Sequence, residues 1–136
     1  MLVLNPTDNL GVRYMLSGYL AEIKKYDELE KLLTKYPDDF GLHWVYAYPL
    51  LKFVKEGDTP KSKKLLLEAI ERNKFVVDYL IGKKKMPKYV PDSYAVDSDD
   101  EAVCYVADFK KAWENIAGAI DWIKRANDPN NRLTPE

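Results

Sequence analysis

Apolar residues recur along this chain with the spacing of one α-helix face, in two long stretches that begin thirty residues apart. The first stretch forms its apolar face from Val12, Met15, Leu16, Tyr19, Leu20 and Ile23. The second repeats the spacing with Leu42, Val45, Tyr46, Pro49, Leu50 and Phe53. Steps of three and four residues gather side chains on one side of a helix, and each stretch is followed by a shorter stripe. Such a repeat predicts stacked helical hairpins.

The residues between these stripes supply starts and stops for helices. We expect Asp8 or Asn9 to cap the first long helix, which extends to about residue 26. Its partner helix carries Leu29, Leu32, Leu33 and Tyr36 and ends at Pro37. The run 57–60, Gly-Asp-Thr-Pro, then provides a stop, a cap and a first-turn proline. The partner helix that follows presents Ser62, Leu65, Leu66, Ala69 and Ile70 on one face.

Two features interrupt this regular pattern. Pro49 lies inside the second long stripe, where its missing N–H predicts a kink or a division of the helix. Residues 74–97 form an irregular insertion, in which 75–81 predicts a short helix and the Lys-, Gly- and Pro-rich remainder predicts an extended connection.

A third hairpin is predicted after the insertion. Ser98, followed by the acidic residues 99–101, is typical of a helix start, because carboxylates are favourable near the positive end of the helix dipole. The apolar face of this helix comprises Ala102, Tyr105, Val106, Phe109 and Trp113, and that of the last helix Ile116, Ala119, Ile120 and Ile123. The sequence therefore predicts one all-α domain over residues 1–127, with about three antiparallel hairpins stacked in a right-handed superhelix, and a flexible tail over 128–136.

Composition narrows the class of protein. Hydrophobic residues make up 46% and charged residues 32% of the 136 positions, as in soluble globular domains. Since no apolar run approaches the roughly 18 residues of a membrane helix, we expect a cytoplasmic protein without membrane contact. The single cysteine and single histidine exclude an internal disulfide and a Cys/His metal cage, and we predict no cofactor. Cys104, within an apolar stripe, is expected to be a buried and inert thiol.

The charges are unevenly distributed. Residues 1–51 carry 5 positive and 7 negative side chains, residues 52–88 carry 11 and 5, and residues 89–136 carry 5 and 10. A basic middle beside an acidic end indicates either a patch for a polyanion or two segments that attract each other within the fold. The second interpretation requires no ligand and is favoured.

Several residues resemble a known repeat family. Gly57-Asp58, Leu66, Ala69 and Asn73 are similar to the second half of a tetratricopeptide repeat, with Tyr26, Leu29, Leu33 and Pro37 in comparable places of the first hairpin. A longer set comprises Leu66-Leu67-Glu68-Ala69, Asn73, Val76, Tyr79-Leu80, Pro91, Glu101-Ala102, Tyr105, Trp113 and Gly118-Ala119. Over the second half of the chain this set resembles the C-terminal tetratricopeptide-like part of the suppressor-of-tumorigenicity-seven family and related bacterial repeat proteins. The resemblance implies a helical-repeat scaffold and no catalytic residues.

A tetratricopeptide-like stack implies that a peptide or protein binds on the concave face lined by the long helices. The polar sides of those helices point to Asn9, Arg13, Ser17, His43, Trp44, Tyr48 and Lys52 as peptide-binding residues. We expect Arg13 to anchor a carboxylate and Trp44 and Tyr48 to supply apolar contacts. The alternative is that Arg13 pairs with a neighbouring acid and Trp44 packs in the core. The predicted function is a non-catalytic protein-interaction scaffold.

Other functions are indicated less strongly by the sequence. Polyanion or nucleic-acid binding would use Lys61, Lys63, Lys64, Lys83, Lys84, Lys85 and Lys88, with Tyr79 and Tyr89 available for stacking. The scarcity of arginine in that set favours a solvated lysine surface. The acidic run 97–101 lacks the spacing of a calcium loop, so helix capping explains it better. An enzyme is a second alternative, which would depend on carboxylates and tyrosines.

The first residues of the chain bear on its partners. Residues 2–9 have the pattern of the end of one helix, a proline turn and the start of the next. This indicates a chain that is part of a longer repeat protein or that has lost its first repeat. Because an incomplete stack leaves an apolar face uncovered, self-association through the N-terminal repeat is an expected route to a homo-oligomer.

Overall fold

The chain folds into helices joined mostly by short connections. A computed structural model describes residues 6–39, 41–91 and 94–128, with side chains from residue 12 onward. The helices in these ranges are α1 (Pro6–Glu22), α2 (Tyr26–Lys35), α3 (Leu42–Val45), α4 (Ala47–Glu56), α5 (Pro60–Arg72), α6 (Phe75–Leu80), α7 (Asp99–Asn115) and α8 (Ala119–Asn127). No strand occurs within the described residues, and the all-α class is confirmed.

Three helical hairpins organise the fold. The pairs α1/α2, α4/α5 and α7/α8 are each joined by three residues and pack against each other. Connections this short make antiparallel neighbours of consecutive helices. The short helix α6 lies between the second and third hairpins and packs against α7 and α8. The predicted set of packed hairpins is therefore present.

The most extensive helix contact joins α1 to α7, so the first and third hairpins are neighbours. Gly18 makes this close approach possible, because a Cβ at that position would collide with the backbone carbonyl oxygen of Asp108. Ser17 and Ala21, on the same side of α1, are also small and fully buried. Small side chains on α1 therefore bring the first and third hairpins together.

The three tryptophans form the centre of one continuous core. Trp44, Trp113 and Trp122 are buried, and each indole N–H has an acceptor. Trp122, which the predicted stripe of the last helix left out, stacks on Phe53 with ring centroids 4.4 Å apart. Among the described residues, no buried side-chain nitrogen or oxygen lacks a hydrogen-bond partner. Because these large indole rings are buried and their N–H groups have acceptors, they fix how the hairpins pack against each other.

The ends of α1 differ from the prediction. The helix ends at Glu22 rather than near residue 26, because Lys24 adopts a left-handed backbone with φ 64°. The N–H of Lys25 then donates to the carbonyl of Leu20 at 2.8 Å, the bond that closes a Schellman cap. At its other end α1 starts at Pro6, so Asp8 lies in the first turn rather than at the cap.

Pro49 divides the second long stripe, as the sequence predicts. The break between α3 and α4 falls at Tyr46, and Pro49 occupies the first turn of α4. In that turn a backbone N–H has no partner within the helix, so proline is tolerated there. The hydroxyl of Tyr46 donates to the carbonyl of Asn73 at 2.7 Å, which ties the break to the end of α5.

Other predictions about helix starts and charge are confirmed. Thr59 caps α5 and Ser98 caps α7, each by accepting a hydrogen bond from the third helical N–H. Arg72 pairs with Glu101, and Lys84 with Asp99. These ion pairs join the basic middle of the chain to its acidic C-terminal part, as the favoured interpretation of the charges predicts. The predicted tail lies outside the described residues from position 129.

Candidate functional site

The residues predicted to line an open peptide-binding face do not form one. The side chain of Asn9 lies outside the described part of the chain. Ser17, His43 and Trp44 are buried. The Ser17 hydroxyl donates to the carbonyl of Tyr14 at 2.6 Å, and the Trp44 indole N–H donates to carbonyls at the end of α2. This corrects the prediction for these three residues, because a peptide could reach them only by opening the core.

Arg13 is bound within the fold. Its Nε and Nη2 atoms donate to the same carboxylate oxygen of Asp39 at 3.1 and 2.8 Å, and its guanidinium lies 4.1 Å from the ring centroid of Tyr36. Asp39 also accepts hydrogen bonds from the Tyr14 hydroxyl and the Gly41 N–H. Burial by itself raises the pKa of Asp39, but these hydrogen bonds and the Arg13 charge outweigh it and hold the pKa below its usual value. Arg13 therefore pairs with an acidic residue of its own fold, which is the alternative interpretation given by the sequence.

His43 forms the centre of a second polar cluster. Its Nε2 lies 2.7 Å from Oδ2 of Asp108, and its ring stacks on Tyr14 with centroids 4.4 Å apart. The rings of Tyr105 and Phe109 meet the imidazole edge to face. The cluster thus ties α3 to both α1 and α7. The sequence does not predict Asp108 as the partner of His43, because the two residues are 65 positions apart and no spacing rule links positions so distant.

A histidine paired with a carboxylate also occurs in nucleophilic catalysis, where the imidazole activates a hydroxyl or thiol. Among the described residues, no hydroxyl or thiol is hydrogen-bonded to His43. The Cys104 thiol donates instead to the carbonyl of Pro91 at 3.5 Å. Burial, followed by the nearby acidic residues, raises the pKa of Cys104 and disfavours the reactive thiolate. This geometry agrees with the expected inert thiol, although the side chain is only half-buried.

Two members of the predicted peptide-binding set reach the surface. Tyr48 and Lys52 lie one turn apart on α4. Lys52 forms an ion pair with Glu56 at 3.2 Å on the same helix. An exposed tyrosine beside a locally paired lysine is an ordinary helix surface, because surface pairs of this kind contribute little energy.

The lysines of the polyanion alternative fall on two separate elements. Lys61, Lys63 and Lys64 lie in the first turns of α5, and Lys83, Lys84, Lys85 and Lys88 in the connection after α6. Lys84 donates to Asp99 at 2.7 Å, and the ring of Tyr79 is buried beneath it. Tyr79 is therefore not available for stacking on a base. Tyr89 is exposed, with the Lys88 ammonium 5.6 Å from its ring centroid.

Acidic residues of the run 97–101 form hydrogen bonds and ion pairs within the fold. Glu101 is buried and accepts hydrogen bonds from Arg72, Asn73 and the N–H of Asp97. Burial raises the pKa of Glu101, but the Arg72 guanidinium and the other donors outweigh it and lower the pKa below its usual value. Within the ranges that the structure covers, no group of three potential ligands could hold a metal ion.

The larger described surface depression has a volume of about 400 Å³. It is lined by Ile70, Glu71, Lys74, Phe75, Asp78 and Asn127. Three of the residues that line this open cleft are charged, the acidic Glu71 and Asp78 and the basic Lys74. It lacks the enclosed apolar lining and convergent polar groups of a small-molecule site.

The outward face of α1 is the remaining candidate. Four large apolar side chains lie along it and a fifth, Ile23, directly follows the last residue of the helix: Val12 is 65%, Met15 65%, Leu16 41%, Tyr19 58% and Ile23 41% exposed. We call this face the outer stripe. It is most of the apolar face predicted from the sequence, and here it points away from the core. The reason is that the opposite side of the helix, with its small residues, fits the close contact with α7.

Comparisons with other proteins add no identification. No family model, no curated protein and no solved structure matches this chain. The resemblance to tetratricopeptide-like repeats therefore stays a prediction, and any functional argument depends on the geometry of the chain itself. No helix in the described part of the chain is long and apolar enough to cross a membrane.

Proposed function

We propose that this protein is a non-catalytic, tetratricopeptide-like interaction module that binds an apolar helix of a protein partner on the outer stripe of α1. The observation that carries the proposal is the alignment of five large, exposed apolar side chains on one helix face. Contiguous exposed apolar patches on soluble proteins mark interaction surfaces. We also propose that the protein is cytoplasmic, as expected from the sequence.

The surroundings of the outer stripe favour a preformed docking surface. The opposite side of α1 is fixed against α7 by the close approach at Gly18. Arg13 and Tyr14 bind Asp39, and the Asn115 amide donates to the carbonyl of Glu22 at the end of α1. A surface that is already ordered loses little conformational entropy when a partner binds.

The chemistry of the outer stripe indicates the kind of partner. Its five side chains are uncharged, and Arg13, the one charged residue between positions 12 and 21, is engaged with Asp39. A single convex helix face packs its ridges into the grooves of another helix. An amphipathic helix with an uncharged apolar face is therefore the best match. This moves the proposed docking site from the predicted concave face to the opposite side of α1.

Site-specific photo-cross-linking tests the proposal. A photoreactive benzophenone amino acid replaces Tyr19 in one variant and Tyr89, an even more exposed tyrosine outside the outer stripe, in the control. Each variant is irradiated at nanomolar concentration in native cell extract. We expect an adduct from position 19 alone, mapped to an apolar helix face of the partner and lost when Met15→Glu is added. Equal adducts from both positions, or none from position 19, would overturn the proposal.

A further inference from the structure

A second exposed surface lies in the connection between α6 and α7. Residues 82–91, which we call the basic connection, contain four lysines and no acidic residue. Lys84 is engaged by Asp99 at 2.7 Å. The other three lysines are exposed and have no ion-pair partner among the described residues: Lys83, Lys85 and Lys88. Like charges gathered on one segment attract a partner of the opposite charge.

Most acidic residues near the basic connection have other contacts in the fold. Within positions 78–100, one aspartate pairs with Arg72, one pairs with Lys84, and one lines the cleft described above. These are Asp97, Asp99 and Asp78, in that order. Asp100 is exposed in the first turn of α7, and Asp92 lies outside the described residues. The described part of this surface therefore presents three unpaired lysines and one unpaired acid.

Apolar side chains are exposed on the same segment. Tyr89 is 77% and Val90 49% exposed, beside the charged group of Lys88, which lies 5.6 Å from the Tyr89 ring centroid. An aromatic ring and an aliphatic side chain that both reach solvent gain free energy when a partner covers them. The partner must therefore supply negative charge and an apolar environment at the same place.

The basic connection is held at both ends. At its start, the Lys84 N–H donates to the carbonyl of Asp78 at 3.0 Å, and the Lys84 ammonium binds Asp99. At its end, the Cys104 thiol donates to the carbonyl of Pro91 at 3.5 Å. A segment fixed in this way loses less conformational entropy on binding than a free chain would.

An anionic membrane surface supplies both kinds of contact. We infer that the basic connection binds the surface of a bilayer that contains anionic lipids. The lysines contact the lipid headgroups, while Tyr89 and Val90 enter the boundary between headgroups and acyl chains. Tyrosine suits that boundary because its ring is apolar and its hydroxyl can stay in water. The cytoplasmic leaflet carries anionic lipids, which agrees with the proposed location.

Other polyanions fit this surface less well. Nucleic acid is contacted preferentially by arginine and by several stacking rings, whereas the basic connection has no arginine and one aromatic residue, Tyr89. A nucleic acid also offers Val90 little apolar surface. An acidic peptide usually binds in a groove, but neither described surface depression includes a residue of the basic connection.

Surface binding of this kind requires no spanning helix. It departs from the expected absence of membrane contact, which depended on the lack of a long apolar run. It is also independent of the outer stripe, which belongs to α1. Since each lysine near an anionic surface raises partitioning roughly fivefold, three lysines and one tyrosine predict weak, reversible binding that added salt reduces.

Co-sedimentation with lipid vesicles tests the inference. The purified chain is mixed with vesicles of phosphatidylcholine and phosphatidylserine in a two-to-one ratio, or of phosphatidylcholine alone. We expect binding to the anionic vesicles that falls as salt is added, and at least tenfold weaker binding to the neutral ones. Equal binding to both kinds of vesicle, or no binding to either, would overturn the inference.

Two matched triple variants locate the binding surface. Lys83→Gln, Lys85→Gln and Lys88→Gln together should weaken binding to anionic vesicles by about tenfold or more. Lys61→Gln, Lys63→Gln and Lys64→Gln remove the same charge from α5 and should change it by less than about twofold. Circular dichroism checks that both variants are folded. Equal losses in the two variants would mean that net charge, and not the basic connection, controls binding.

A third comparison separates a bilayer from other polyanions. Tyr89→Ser should weaken vesicle binding several-fold, whereas Met15→Glu on the outer stripe should leave it unchanged. Fluorescence anisotropy with a labelled single-stranded oligonucleotide at the same salt measures the competing partner. An oligonucleotide bound more tightly than the anionic vesicles, or a Tyr89→Ser variant that binds vesicles as the wild type does, would overturn the assignment to a membrane surface.

Discussion

Replacement of Arg13 by alanine separates a structural role from a binding role for this residue. In the fold, the Arg13 side chain is 20% exposed and that of its partner Asp39 only 5%. Removal of the guanidinium leaves a buried carboxylate with two of its hydrogen bonds, those from Tyr14 and Gly41. Loss of a charged partner from such a group costs about 2 to 3 kcal/mol, and the lost stacking on Tyr36 adds about 0.5 kcal/mol.

The total of about 3 kcal/mol corresponds to a fall in melting temperature of about 9 °C, at roughly 3 °C per kcal/mol for a domain of this size. Differential scanning calorimetry at pH 7 measures it. Lys35→Ala is the matched control, since this exposed cation lies 5.8 Å from the same Tyr36 ring without a buried partner. We expect Lys35→Ala to change the melting temperature by less than about 2 °C, as for other surface substitutions.

A double-mutant cycle isolates the interaction itself. Once Asp39→Ala has removed the carboxylate, Arg13→Ala should cost about 2 kcal/mol less than it does in the wild type. Arg13→Lys should recover only part of the stability, because an ammonium lacks the planar fork of the guanidinium. If Arg13→Ala lowers the melting temperature no more than Lys35→Ala does, the structural role assigned to the Arg13–Asp39 pair is wrong.

Three further predictions concern stability. Gly18→Ala should destabilise the fold by about 2 kcal/mol or more, because the new methyl group collides with the α7 backbone; urea denaturation measures the loss. Lys24→Gly should raise the free energy of unfolding by about 0.5 to 1 kcal/mol, since glycine adopts the left-handed backbone at this position without strain. Stability should also fall in acid. The pKa values of Asp39, Asp99 and Glu101 are lowered in the folded protein. Their contribution is therefore complete above the unfolded pKa of about 4 and is lost as the pH falls through the folded values; urea midpoints between pH 7 and pH 2 follow it.

Each of these predictions has a result that contradicts it. An unchanged urea midpoint for Gly18→Ala would mean that α1 and α7 do not approach as described. A loss of stability in Lys24→Gly equal to that of a glycine placed in the middle of α5 would mean that α1 continues through position 24. A midpoint that does not change between pH 5 and pH 2 would contradict the lowered carboxylate pKa values.

Local features of this protein could be read from the sequence because they depend on neighbouring residues. Ser98 caps α7 through an N–H three residues away, and Thr59 caps α5 in the same way. Pro49 divides the second stripe because its ring conflicts with helical backbone only one turn earlier. These interactions act within a turn of helix, so residue type and spacing are sufficient to predict them.

The candidate site could not be predicted in this way. The stripe of Val12, Met15 and Tyr19 is visible in the sequence, but Arg13 is the one charged residue between positions 12 and 21, so residue type leaves either side of this stretch able to face the core. Only the tertiary structure decides, because α7 approaches closely enough to exclude everything larger than Gly18 and its small neighbours. For the same reason Arg13 lies in an ion pair with a residue 26 positions away instead of on an open face. The sequence by itself determined the helices and most of their starts, whereas long-range packing determined which apolar face is covered and which is left exposed.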